Sequence, residues 1–201
     1  NFHQIFQMDF KDLKIQNKNF ISYKFLNSLF MGVSIGSIFT IYNPLEPSVY
    51  SIGGIVLALG MILVATQYHK ILTVKYFYRI SLLVELIILV VIISFLIFSY
   101  SYKIALVVYL GYQITFIFGS YLVRGETLIL KDDKLLKAVD IAKQSGYLTG
   151  LLFSYLFYEG VDYFFGLNDN QSQVFHLHYP LLLIEIFVII FLMKSFKKIN
   201  N

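Results

Sequence analysis

The stretch VRGETLILKDDKLLKAVDIAKQSGYLTG, residues 123–150, is the only long run in this chain that is both charged and helical in its spacing. It leads directly out of one apolar segment and directly into another. Lys131, Asp132, Asp133, Lys134, Lys137, Asp140 and Lys143 are too many charges for hydrocarbon, so the run belongs at a water-facing end of the apolar elements beside it. Its Lys and Asp residues are spaced for ion pairs within one surface helix.

Composition says what the flanking elements are. The 201 residues are 58% hydrophobic and 14% charged, with mean hydropathy +0.71, whereas an ordinary globular protein is roughly 25% charged. The chain reads as an all-α integral membrane protein with short loops. It has no cysteine, which excludes disulfides, thiol catalysis and thiolate metal sites.

About 20 apolar residues at 1.5 Å rise cross a bilayer, and spans are expected at 20–42, 49–66, 80–98, 104–123, 145–165 and 179–193. Residues 1–19 mix Phe2, Phe6, Phe10 and Leu13 with charges, the pattern of an interfacial amphipathic helix or of a cytoplasmic tail. No short apolar core followed by a cleavage site is visible there. Asn43-Pro44 and Glu46-Pro47 make a turn after the first span, and Pro180 is expected in the first turn of the last. Of the 16 Lys and Arg residues, all but Lys103 fall in the two tails, the first-span entry and the links after spans two and four. The positive-inside rule then places both termini in the cytoplasm, and a bacterial inner membrane is the expected location. The same segregation accounts for the basic pI without any nucleic acid.

Small and polar residues concentrate in spans one, two, four and five, and three and six are nearly unbroken aliphatic runs. Small residues let helices approach closely in lipid. Gly32 and Gly36 in span one, Gly54 and Ala58 in span two, and Gly146 and Gly150 in span five are the expected packing positions. Spans three and six are expected to face lipid. The order polar, polar, apolar occurs twice, a three-plus-three repeat in which LLVELIILVV from Leu82 and LLLIEIFVII from Leu181 look alike.

In span pattern, topology, the basic link after span two, Arg124-Gly125 at the inner end of span four and a glycine-spaced span five, residues 20–195 resemble a six-helix half of a major facilitator superfamily transporter. The resemblance implies inverted three-helix repeats and a solute held between two halves. The family's G-x-x-x-D-R-x-G-R-R motif is degenerate here: Ala65, His69 and Lys70 stand at the Gly, Asp and Arg positions, followed by Leu72, Thr73 and Val74. The antiporter proline-glycine signature is also missing from GLLFSYLF at residues 150–157. A complete transporter of this kind has about twelve spans. Either these residues are part of a longer chain, or a second copy or another six-helix subunit is the expected partner besides the bilayer.

On these grounds Asn27, Ser34, Tyr112, Gln113 and Thr149 are the expected solute-binding set, against ordinary interhelical hydrogen bonding. None carries a charge, which points to a neutral or weakly charged solute. Glu85 and Glu185 are the acids within spans, and an intramembrane acid is a functional candidate by default. They are the proton-coupling candidates, against simple pairing or snorkelling. Lys70, Arg79, Arg124 and Glu126 are the expected cytoplasmic gate, with Arg124 and Glu126 bridging to charges on the link after span two. His176 and His178 have no third partner in sequence for a metal. No catalytic constellation can be assembled, so neither an enzyme nor a cofactor is expected. The competing reading is a non-transporting subunit packed as a scaffold in a larger membrane complex.

Overall fold

The computed structural model describes residues 13–130 and 132–198. Strand β1 (Leu13–Ile15) is followed by helices α1 (Asn17–Tyr42), α2 (Pro47–Thr66), α3 (Tyr68–Ile71), α4 (Val74–Phe98), α5 (Tyr102–Ile117), α6 (Gly119–Leu130), α7 (Asp133–Phe165) and α8 (Asn170–Ser195), and by strand β2 (Phe196–Lys198). Five segments are long and apolar enough to cross a membrane: α1, α2, α4, α5 together with α6, and α8. The protein is thus a helical integral membrane protein. The remaining expected span, 145–165, lies within α7. That helix is 33 residues long but is not among the five, since its apolar half also carries Glu159, Asp162 and several tyrosines.

Local chemistry sets the helix boundaries. Pro47 starts α2, where its missing N–H is no loss. The side chains of Thr73, Ser101, Asp132 and Asp169 accept backbone N–H groups at the starts of α4, α5, α7 and α8. Gly166, with φ 63°, ends α7 in the left-handed conformation that glycine adopts without steric cost. Because Asp132 caps α7, the charged strap is no separate linker. Its first part completes α6, and the part from Asp133 runs without a break into the expected fifth span. Likewise α8 begins at Asn170, so Pro180 stands inside the helix rather than in its first turn.

The two ends of the described chain meet. Strand β1 pairs antiparallel with β2, with Leu13 opposite Lys198 and Ile15 opposite Phe196. The Gln16 N–H donates to the Ser195 carbonyl at 2.8 Å, and Asn19 Nδ2 donates to that of Lys194 at 3.0 Å. The described part of the N-terminal segment is therefore a strand and a helix start, not an interfacial helix, and residues 1–12 lie outside the described residues. Phe20, Tyr23, Phe77, Tyr78 and Phe196 form an aromatic floor at this end.

Helix α1 packs on α7 and α8, α4 packs on α8 and α5, and α2 packs on α5. The α1–α7 contact is made backbone to backbone. A Cβ on Gly32 would collide with the Tyr147 carbonyl, one on Gly146 with that of Phe25, and one on Gly150 with that of Leu29. Removing the side chain at these points lets the helices touch. Gly36 is looser, facing the Tyr158 ring at ordinary contact distance. In α2, by contrast, Gly54 has nothing near it and Ala58 is exposed. The close approaches there belong to Gly53 on Tyr109 and Gly60 on Ile117.

The expected inside-out order of the spans is reversed for two of them. The most apolar window of α4, the third span, is 44% buried within the chain and that of α8, the sixth, 33%, whereas that of α2 is 6%. Ile88, Ile92, Leu177 and Leu181 of α4 and α8 pack together in one cluster with Phe30 and Val33 of α1. Aliphatic side chains pack equally well on lipid and on protein, so hydropathy alone does not say which way such a helix faces.

Candidate functional site

At the meeting of α1, α4 and α8 lies a pair of carboxylates. Glu85 of α4 is 1% exposed and Glu185 of α8 is 0% exposed, and the two are close enough to interact electrostatically. Helix α1 supplies the hydrogen bonds. Tyr23 donates its hydroxyl to Glu85 Oε1 at 2.8 Å, and Asn27 Nδ2 donates to the same oxygen at 3.0 Å. The residues are four apart on α1, so both reach one side of α4. Ser81, buried one turn before Glu85, lies beside the Tyr23 hydroxyl. Among the described residues, Glu85 Oε2 and both oxygens of Glu185 have no hydrogen-bond partner. A buried carboxylate left unpaired is costly, and a proton or a bound cation relieves it.

The expected solute-binding residues divide. Asn27 is engaged with Glu85. Ser34 is buried on α1 beside Tyr112 of α5, and Tyr112 in turn is near Glu185. The Oε1 of Gln113 is buried without a partner. Thr149 is not in this group: it is exposed, and its hydroxyl donates to the Ser145 carbonyl of its own helix at 2.8 Å. Gly146 and Gly150 hold the α1-facing side of α7, and Thr149 looks away from it.

Toward the end where β1 and β2 pair, the charges form a second group. Glu126 of α6, 4% exposed, takes Lys24 of α1 on one oxygen at 2.5 Å and Lys143 of α7 on the other at 2.9 Å. Asp140 flanks Lys143 at 3.5 Å. Burial works against the Lys143 charge, but the hydrogen bond and attraction of Glu126, with Asp140 added, outweigh it and raise its pKa above the ordinary lysine range. Lys24, 9% exposed, also sits over the rings of Phe20, Tyr23 and Phe77 at 5.5, 5.1 and 5.7 Å, an arrangement that favours a cation. Glu126 therefore clasps α1, α6 and α7 together and does not bridge to the link after span two. Arg124 does face that link, through the ring of Tyr68 at 5.8 Å rather than through a charge. Lys70 is exposed on α3, and Arg79 is half-buried on α4.

The histidines diverge. His178 is buried, with Nδ1 2.7 Å from the Val174 carbonyl and its ring 4.1 Å from that of Phe95. His176 is turned to the Ser172 carbonyl at 2.7 Å. Each ring is fixed by its own helix, and no group of three metal-ligating side chains occurs among the described residues.

The pairing of Lys24 with Glu126 and the inward aim of Glu85 and Glu185 escape sequence reasoning. Lys24 is legible only as the one lysine inside the first span. Of Glu85 and Glu185, a faint sign is their equivalent place in two similar aliphatic runs. No family model, curated protein or solved structure matches the chain.

Proposed function

We propose that this protein is a proton-coupled membrane transport unit, a six-helix half that moves a small, neutral or weakly charged solute by alternating access. The observation that carries the reading is the Glu85–Glu185 pair, buried between helices with three oxygens unpartnered. Buried intramembrane acids mark proton or ion pathways. The helix pairings add support. Exchanging spans one, two and three with four, five and six turns the α1–α7 contact into the α5–α2 contact, and α1–α8 into α5–α4, while α4–α8 maps onto itself. Under that exchange the helix of Glu85 maps onto the helix of Glu185, and α1, whose Tyr23 donates to Glu85, maps onto α5, whose Tyr112 lies near Glu185. Such a relation is what an inverted three-plus-three repeat produces.

In this reading the fifth of the six spans is supplied by α7, both termini lie on the cytoplasmic side of a bacterial inner membrane, and a second copy or another six-helix subunit completes the path. Gln113, Ser34 and Tyr112 line the solute side of the acids. The scaffold reading keeps one specific support, the backbone lock between α1 and α7, which holds those two helices as one rigid body.

Proteoliposomes enclosing a pH-sensitive dye decide between the two. A panel of neutral and zwitterionic solutes should include members whose addition shifts internal pH, and the shift should vanish with Glu85→Gln or Glu185→Gln. A protein that moves no protons with any solute and purifies only with unlike subunits is a scaffold.

A further inference from the structure

We infer that Lys24 is the counter-charge of the acid pair, shared between Glu126 and Glu85, so that the proton held by the pair controls the Glu126 clasp. This rests on the reading of Glu85 and Glu185 as the proton site, and adds to it the group that tunes them and the contact they govern.

Lys24 is held from several sides. Its ammonium bonds Glu126 on one side and lies 5.1 Å from the centre of the Tyr23 ring on another. The hydroxyl of that ring donates to Glu85. Lys24 is flanked along α1 by both Glu85 donors, Tyr23 and Asn27, and its charge acts on Glu85 directly. One buried cation thus stands between two buried carboxylates, one on α6 and one on α4. The titratable and polar groups that face Lys24 or the acid pair are Tyr23 and Asn27 from α1, Ser81 and Glu85 from α4, Tyr112 beside Glu185 from α5, Glu126 from α6, Lys143 from α7 and Glu185 from α8.

The two carboxylates compete for the ammonium. While Glu185 and Glu85 are both protonated, Glu85 needs no counter-charge and Lys24 stays on Glu126. Once the proton leaves, attraction in this dry surrounding draws Lys24 toward Glu85, because charge interactions strengthen where water is excluded. Glu126 then keeps only Lys143, and the tie between α1 and α6 loosens. Proton occupancy at the pair is in this way converted into opening of the end of the bundle where β1 and β2 meet. A lysine serves this better than an arginine fork, since a compact ammonium on a flexible stem can change partners.

The test is an infrared titration of the full chain in lipid nanodiscs, following the carboxylic C=O band that Glu85→Gln and Glu185→Gln remove. Lys24→Met should raise the midpoint by about one pH unit, a tenfold gain in proton affinity. Glu126→Gln should lower it, because Lys24 is then left to Glu85 alone. Lys24→Arg, which keeps the charge, should stay near the wild-type midpoint. Opposite signs from the two charge deletions are what a shared counter-charge requires, whereas a lysine that only braces the fold gives no shift or shifts of one sign. Should Lys24→Met fail to fold, Glu126→Gln alone decides, and an unchanged or raised midpoint overturns the inference. If wild type has no such band, the proton site itself fails and the inference falls with it. A wild-type band that Lys24→Met leaves in place overturns only the role of the lysine.

Discussion

Glu185 is the side chain for which the fold offers least. It is fully buried, neither carboxylate oxygen has a partner, and its charged neighbour is another acid. Such a residue contributes nothing evident to stability, and replacing it by an apolar side chain of similar size removes a desolvation cost. Glu185→Met is therefore expected to raise stability by about 1–3 kcal/mol, read as a higher melting temperature by circular dichroism in detergent, while abolishing any proton-linked activity. A lower melting temperature would mean that the carboxyl is structural. Lys24 is the contrasting case, a buried charge with a carboxylate and three aromatic rings around it. In sequence both are single charges in apolar runs, and nothing local distinguishes the satisfied one from the unsatisfied one. The partners of Lys24 lie on α6 and α4, so its role is decided by tertiary packing.

Among the helices, close packing depends on a few positions without side chains. Gly150 meets the α1 backbone and Gly54 meets nothing, although both belong to small-residue stripes that look equivalent in sequence. Gly150→Val should cost about 1–3 kcal/mol by forcing α1 and α7 apart, and Gly54→Val should leave the thermal melt in detergent unchanged. Equal effects at the two sites would contradict the assigned packing. The existence of the spans was largely legible, because they follow from hydropathy, but their starts were not: the caps at Thr73, Asp132 and Asp169 begin α4, α7 and α8 several residues before the expected 80, 145 and 179. The facing of α4 and α8 was not. Their Leu, Ile and Val residues are compatible with lipid on any side, and only the placement of Glu85 and Glu185 tells which side is inward. The charge of the strap is plain in the sequence, but its continuity with the next span depends on the cap at Asp132.

For the whole molecule, one arrangement joins these observations. The two ends of the described residues are stitched by β1 and β2, the Glu126 clasp gathers α1, α6 and α7 next to an aromatic floor, and the carboxylate pair lies between α4 and α8 against α1. Under the proposed function, a proton at the pair, a counter-charge beside it and a clasp at the end of the bundle are the minimal parts of a proton-driven gate. The central claim is that Glu85 and Glu185 hold an exchangeable proton. Infrared difference spectra of wild type and the Glu85→Gln/Glu185→Gln double variant in lipid, recorded while pH is raised, address it most directly. The account predicts a carboxylic C=O band in wild type that disappears as pH rises and is missing from the double variant; identical spectra for the two proteins would contradict it.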